Sequence, residues 1–144
     1  MAYKPLNPEI SVTSQVAPAD LAGVKAAGFG TIINNRPDGE EPGQPSSDEL
    51  QAAAEKGGLA YRHIPVVPGK FSDAQVDAFR DAVADCAKPA LAFCKSGLRA
   101  TSLWALSQAG KVDTAEILRS ASACGYDLMP LAPRIEARAK ALHA

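Results

Sequence analysis

One stretch constrains the fold of this chain more than any other: residues 90–101, where an apolar run of strand type passes through Cys94 and a short loop into a long helix-forming segment. A strand that enters a helix through a short loop leaves several backbone N–H groups without partners, and together they form an anion-binding site. Arg99 follows the cysteine with four residues between them. Because a cation at a helix N-terminus is unfavourable unless an anion is present, Arg99 is predicted to bind an anion beside Cys94.

The same loop is expected to make Cys94 a nucleophile. The helix N-terminus and the charges of Lys95 and Arg99 favour the thiolate, which is the reactive form of cysteine. Gly97 suits a tight backbone turn around an anion. The predicted catalytic residues are therefore Cys94 and Arg99, and the predicted anion-binding residues of the loop are Lys95, Ser96, Gly97 and Leu98.

The other two cysteines lack such a setting. Cys86 is predicted near a helix C-terminus, where the dipole disfavours the thiolate, and Cys124 has no neighbouring cationic motif. Both are interpreted as structural, with a resolving thiol as the alternative for one of them. Three widely spaced cysteines without metal-ligand spacing indicate free thiols in a reducing cytoplasm, and we predict no metal and no cofactor.

Length and composition exclude several classes of function. The chain has 144 residues, 47% of them apolar, and a net charge of −1, which favours one domain over residues 1–144 with residues 130–144 as a C-terminal extension helix. Without a basic excess, and with 6% aromatic residues, it is not expected to bind nucleic acid. No apolar run approaches the roughly 20 residues of a membrane span, and no signal peptide is evident, so we expect a cytoplasmic protein.

Strand and helix signals alternate along the chain. Strands are predicted at 9–13, 31–34, 60–65 and 90–93, and helices at 18–27, 46–56, 72–86, 100–109, 113–124 and from 130 onward. This alternation predicts an α/β domain of three layers, with a mainly parallel sheet between helices. Ligands of such folds bind at the carboxyl ends of the strands, so Cys94 and the loops after residues 34 and 65 are expected on one edge.

The loop after residue 34 supplies two further candidates. Arg36 would add positive charge beside the anion, and Asp38 would shuttle a proton. A solvated loop with a Pro-Asp-Gly turn explains the same residues without any role in chemistry. His63 lies within an apolar strand and is interpreted as a core or rim histidine.

Two motifs in order, residues 33–40 and residues 94–99, resemble the bacterial family called beta-lactamase hydrolase-like protein, phosphatase-like domain, which is also labelled a sulfur transferase. The resemblance covers about residues 6–123. It implies a fold related to the dual-specificity and tyrosine phosphatases, with a four-stranded parallel sheet. It also implies that Cys94 is the nucleophile, Arg99 the anion-binding arginine and residues 95–98 the cradle. The family often has Ser or Thr directly after the arginine, whereas this chain has Ala100.

Two features bear on the reaction. Phosphatases of this type place five residues between cysteine and arginine, whereas this chain has four, which resembles the loop of rhodanese sulfurtransferases. Phosphoester cleavage also needs an acid that protonates the leaving alkoxide. Tyrosine-phosphatase-like enzymes supply an aspartate from the loop that corresponds to residues 64–71, and here that loop has no carboxylate. Asp38 or Asp73 could replace it only if the fold brings one of them close.

We therefore favour sulfur transfer through a persulfide on Cys94. The expected partners are a small anionic or persulfide substrate and a thiol acceptor or sulfur-oxidising enzyme. Phosphomonoester hydrolysis through a phosphocysteine is the first alternative. The second is an anion-binding module that senses sulfur species without turnover.

Overall fold

The computed structural model describes residues 1–142, so the last two residues of the predicted extension helix lie outside the described range. None of the helices within this range is long and apolar enough to cross a membrane. The strands are β1 (Lys4–Asn7), β2 (Ile10–Thr13), β3 (Thr31–Asn34), β4 (Ala60–His63) and β5 (Ala90–Phe93). The helices are α1 (Leu21–Ala26), α2 (Ser47–Lys56), α3 (Asp73–Asp85), α4 (Leu98–Ser107), α5 (Thr114–Ala123) and α6 (Ala132–Leu142), with 3-10 turns at Pro18–Asp20 and Met129–Leu131.

Two of the predicted helices, those from residues 46 and 72, begin with capping boxes. The Ser46 hydroxyl accepts a hydrogen bond from Glu49 N at 3.1 Å at the start of α2. The Ser72 hydroxyl accepts one from Gln75 N at 3.1 Å at the start of α3, and Gln75 Oε1 accepts one from Ser72 N at 2.9 Å. These side chains satisfy N–H groups that the first helical turn leaves unpaired, which confirms both predicted starts.

The sheet has five strands in the order β1-β2-β5-β3-β4, so the expectation of four strands is wrong by one. Strands β2, β5, β3 and β4 are parallel, as predicted, whereas β1 pairs antiparallel with β2. The register of β1 shifts between Pro5 and Asn7. A proline donates no hydrogen bond to a neighbouring strand and is tolerated at a sheet edge, so this short segment has no clear strand pattern in the sequence.

The central strand β5 divides the core between two helical layers. Ala90 and Ala92 face the layer of α3, α4, α5 and α6, while Leu91 and Phe93 face the layer of α1 and α2. This alternation is the period of two that a strand imposes on its side chains. Nine of the ten residues of α4 are buried, and this helix begins two residues earlier than predicted.

Parallel register brings the carboxyl ends of four strands to one edge of the sheet. Phe93 at the end of β5 pairs with Thr13 on one side and with Asn34 on the other, and Asn34 pairs with His63. The chain segments that follow these residues therefore leave the sheet side by side. Cys94 is the first residue after β5, and the segments that follow the neighbouring strands lie beside it.

Candidate active site

Cys94 lies at the start of the loop that joins β5 to α4, and only 1% of its surface is exposed. Its Sγ accepts a hydrogen bond from the backbone N–H of Gly97 at 3.1 Å. The helix starts one residue later, at Leu98, so the sulfur lies against the N-terminal end of α4. A backbone donor and the positive end of the helix dipole both stabilise negative charge on the sulfur.

The turn of this loop requires a glycine. Gly97 has a φ of 92°, in the left-handed region, and a Cβ at this position would collide with the hydroxyl of Tyr126. That hydroxyl donates a hydrogen bond to the carbonyl of Ser96 at 2.9 Å. The Thr101 hydroxyl donates to the Gly97 carbonyl at 2.8 Å. The loop is therefore held by Tyr126, a contact that the sequence analysis missed because the residues are far apart in the chain.

Arg99 points back toward the strand ends and is 7% exposed. Its guanidinium donates to both oxygens of Glu40, Nη1 to Oε2 at 2.8 Å and Nη2 to Oε1 at 2.9 Å, and Nη1 also donates to the carbonyl of Val66 at 2.9 Å. Burial opposes its charge, but the hydrogen bonds to Glu40 and the neighbouring Cys94 raise the pKa of Arg99. The arginine is thus a fixed cation beside the sulfur.

Glu40 connects the two arginines of the site. Besides the pair of bonds from Arg99, its Oε1 accepts a hydrogen bond from Arg36 Nε at 2.7 Å. The hydrogen bond from Arg99 is the largest cause of a lowered pKa for Glu40, and it outweighs the opposing effect of burial. The sequence analysis missed this role, although Glu40 ends the first of the two motifs, because nothing in the sequence indicates a contact over 59 residues.

Arg36 and Lys95 share a second carboxylate, that of Glu41. Arg36 is 4% exposed and donates to Gln15 Oε1 at 2.9 Å and to Glu41 Oε1 at 3.0 Å. The exposed Lys95 ammonium lies 2.5 Å from the same Glu41 oxygen, and its hydrogen bond is the largest cause of the lowered pKa of Glu41. The predicted cations are thus brought to one edge, where two carboxylates accompany them.

The two aspartates considered as acids have other hydrogen-bond and ion-pair partners. The Asp38 carboxylate accepts a hydrogen bond from Ser47 N at 2.8 Å, at the first residue of α2, and Asp73 begins α3 and pairs with arginines of α6. Within residues 1–142, neither of them forms a hydrogen bond or ion pair with Cys94. The loop before α3 contributes the backbone carbonyl of Val66 to the site. His63 lies on the rim, as interpreted, with Nε2 2.9 Å from the carbonyl oxygen of Arg36.

Residues 2–111 match the family described as beta-lactamase hydrolase-like protein, phosphatase-like domain. The chain belongs to this family. Beta-lactamase hydrolase-like proteins of Xylella fastidiosa and Agrobacterium fabrum are 38% and 37% identical to it over 125 residues, which are 85% of this chain. The chain spans about 29% of the length of these curated relatives. The predicted family is confirmed.

Solved structures of phosphatases share the fold. A candidate phosphatase from Neisseria meningitidis is 31% identical, with a TM-score of 0.85 over 96% of this chain and 99% of that chain. Tk-PTP in the active form is 18% identical, with a TM-score of 0.71 over 96% of both chains. PTPMT1 in complex with PI(5)P is 12% identical, with a TM-score of 0.74 over 99% of both chains. The predicted phosphatase-like α/β fold is confirmed, and the homologues indicate a cysteine-based, phosphatase-like enzyme.

Proposed function

We propose that this protein is a sulfurtransferase that carries the transferred sulfur as a persulfide on Cys94. One observation supports this most directly. The Cys94 sulfur accepts a hydrogen bond from a loop amide beside the fixed Arg99 cation, while the carboxylate that contacts Arg99 is held in its ionised form. The site can therefore stabilise a thiolate and an incoming anion, but Glu40 is poorly suited to donate a proton.

The proposed reaction transfers one sulfur atom without net oxidation. With thiosulfate, the Cys94 thiolate attacks the outer sulfur, a new S–S bond forms on Cys94, and sulfite leaves with the electron pair of the broken S–S bond. A thiol acceptor, as its thiolate, then attacks the outer sulfur of the persulfide, and Cys94 leaves as a thiolate. The loop amides and Arg99 would bind the anionic donor.

The carboxylates near the site favour a leaving group that needs no proton. An alkoxide that leaves phosphorus needs a general acid, and a suitable carboxyl group has a raised pKa. Glu40 and Glu41 both have lowered pKa values, through hydrogen bonds from Arg99 and Lys95 respectively. Sulfite leaves without protonation, so these carboxylates present no obstacle to sulfur transfer.

Phosphomonoester hydrolysis is the second candidate, and one further carboxylate favours it. Asp127 lines a groove that Arg99 also lines, and its exposed side chain accepts a hydrogen bond from Met129 N at 3.0 Å. In a phosphatase mechanism Cys94 would attack phosphorus, and Asp127 would protonate the leaving oxygen. The phosphatase-like fold of the related structures is consistent with this reaction.

Intact-mass spectrometry tests the proposal. After incubation with thiosulfate or glutathione persulfide, the wild-type chain should gain one sulfur, about 32 Da, and Cys94→Ser should not. Asp127→Asn should leave this gain unchanged, whereas it should lower a phosphatase activity by about 100-fold. Hydrolysis of p-nitrophenyl phosphate that requires Cys94 and Asp127, without any persulfide, would overturn the proposal in favour of the phosphatase. Neither product, with thermal stabilisation by sulfate, would indicate an anion-binding module.

We also propose the surroundings in which this chemistry operates. Three free thiols persist in a reducing compartment, which fits the cytoplasm. The natural acceptor is then a small thiol or the thiol of a sulfur-oxidising enzyme. A soluble thiol such as glutathione should remove the added sulfur from Cys94 in the mass experiment, and a persulfide inert to thiols would contradict transfer.

A further inference from the structure

An apolar groove of about 240 Å³ opens beside the Cys94 loop. Its walls come from three chain segments: the loop before α3, the start of α4, and the turn between α5 and α6. Phe71, Leu98 and Leu131 supply apolar surface from each of these segments in turn, and Arg99 and Ser102 continue the wall along α4. Arg99 lines the groove and also lies beside Cys94, so the groove borders the candidate anion site.

Exposed apolar side chains concentrate on the same three segments. Val67 is 50% exposed, Leu98 46% and Met129 62%. The other large apolar side chains that are exposed within residues 1–142 are Met1 and Leu142, at the two ends of that range. Leu98 lines the groove itself, whereas Val67 and Met129 lie on the segments that form it without lining it. Apolar surface exposed in a groove is typical of a binding site.

We propose that this groove binds an apolar organic group attached to the sulfur that Cys94 receives. The substrate class is then an organic thiosulfonate or persulfide with an aromatic or short alkyl group, in preference to inorganic thiosulfate. This inference rests on the proposed sulfur transfer. Arg99 and the loop amides would bind the anionic end, and the apolar group would lie along Phe71 and Leu131.

The size of the groove favours a small organic group over a segment of another protein. Sites for drug-sized ligands have volumes of about 300–1,000 Å³, and this groove lies just below that range. One aromatic ring or a short alkyl chain fits such a space, whereas an amphipathic helix needs a long groove that accepts several side chains. A ring attached to the sulfur would enter the groove at Arg99.

The transfer step balances for such a donor. The Cys94 thiolate attacks the outer sulfur of R–SO₂–S⁻, the S–S bond to Cys94 forms, and the sulfinate R–SO₂⁻ leaves with the electron pair of the broken bond. No proton, oxidant or reductant takes part. Benzenethiosulfonate and methanethiosulfonate therefore undergo the same reaction and differ in the group that the groove would hold.

The test compares the rates at which benzenethiosulfonate, methanethiosulfonate and thiosulfate form the persulfide on Cys94. Intact-mass spectrometry measures each rate. Each rate is divided by the rate of the same donor with a small free thiol, which removes the intrinsic difference between the leaving groups. We expect the corrected rate to favour the benzene compound over the methane compound by about 10-fold to 100-fold. A corrected ratio near one would overturn the inference.

Variants of the groove residues test whether the groove causes the preference for the benzene compound. Phe71→Ala and Leu131→Ala should each lower the ratio of benzene to methane compound about 10-fold. Val67→Ala is the matched control, because Val67 is on the same loop as Phe71 but is not part of the groove lining. Equal losses for all three donors in Phe71→Ala would mean that the residue supports the fold rather than the organic group, and would overturn the inference.

A binding measurement separates the groove from the reaction. Calorimetry on Cys94→Ser should show tighter binding of benzenesulfinate than of methanesulfinate, and Phe71→Ala should remove the difference. If no donor yields a persulfide, the proposed sulfur transfer fails, and the calorimetry still tests the groove by itself. Equal binding of the two sulfinates would overturn the assignment of the groove even if Cys94 accepts sulfur from thiosulfate.

Discussion

Cys94 and Cys124 are similarly buried but differ in the hydrogen bond that their sulfur atoms make. Both residues are almost sealed from solvent, with exposures of 1% and 9%. The Cys94 sulfur accepts a hydrogen bond from the N–H of Gly97, whereas the Cys124 thiol donates one to the carbonyl of Pro5 at 3.1 Å. A backbone donor stabilises a thiolate, and a backbone acceptor stabilises a thiol. The direction of the hydrogen bond distinguishes the two sites.

The charges near Cys94 and Cys124 also differ. Arg99 lies beside Cys94, while burial is the largest influence on Cys124 and raises its pKa. Cys86, at the end of α3, also donates to a carbonyl, that of Val83. Two of the three thiols are thus surrounded as structural cysteines are, and the third faces the positive end of a helix.

Replacing Cys94 or Cys124 by serine gives the largest expected difference in the rate of sulfur transfer. Cys94→Ser should lower sulfur transfer by at least about 1,000-fold, because a hydroxyl is a poor nucleophile near neutral pH. Cys124→Ser should change the rate less than about twofold, since the serine hydroxyl still donates to the Pro5 carbonyl. Persulfide formation from thiosulfate measures both, and a larger loss in Cys124→Ser would reverse the assignment.

Arg99→Lys tests whether a positive charge alone suffices beside Cys94. Lysine keeps the charge but loses the two parallel bonds to Glu40, so we expect kcat/KM for thiosulfate to fall about 100-fold. Arg80→Lys is the matched control, because Arg80 pairs with carboxylates on the surface of α3. Full activity in Arg99→Lys would show that the fork of the guanidinium does not contribute.

The sequence predicts helix starts, strands and turns correctly where local patterns agree with the global fold. The serine capping boxes, the β-branched run of β3 and the glycine of the Cys94 loop each indicate their structure locally. The strand β1 was not predicted, because Pro5 and a register shift obscure the pattern of this short edge strand. The bracing of the loop by Tyr126 and the sharing of Glu40 depend on contacts between distant segments, which no local period encodes.

Glu40→Gln tests the link between the two arginines and has a smaller expected effect. Glutamine keeps the shape but removes the charge that holds Arg36 and Arg99, so sulfur transfer should fall about 10-fold. Kinetics with thiosulfate check this. Glu116→Gln, on the exposed surface of α5, should leave the rate unchanged. An equal loss in both variants would point to the overall charge of the protein instead.

The same variant should also change the dependence of stability on pH. Because the pKa of Glu40 is lowered in the folded protein, the unfolded chain binds this proton more readily, and the contribution to stability is present above the unfolded pKa. It is lost as the pH falls through the folded pKa. The Tm difference between wild type and Glu40→Gln should therefore shrink from pH 7 to pH 3, and a constant difference would contradict the lowered pKa.

Alkylation by iodoacetamide has the smallest expected effect and compares the two cysteines most directly. At pH 7, Cys94 should react about fivefold faster than Cys124, because the thiolate is the reactive form and burial raises the pKa of Cys124. The alkylation rate of Cys124 should rise with pH as its thiolate forms. Peptide mapping of the alkylated chain gives each rate, and the urea-unfolded chain shows the rates without structure. If Cys94 reacts no faster than Cys124 in the folded chain, the donor at Gly97 does not activate the sulfur, and the contrast between the two sites reduces to their burial.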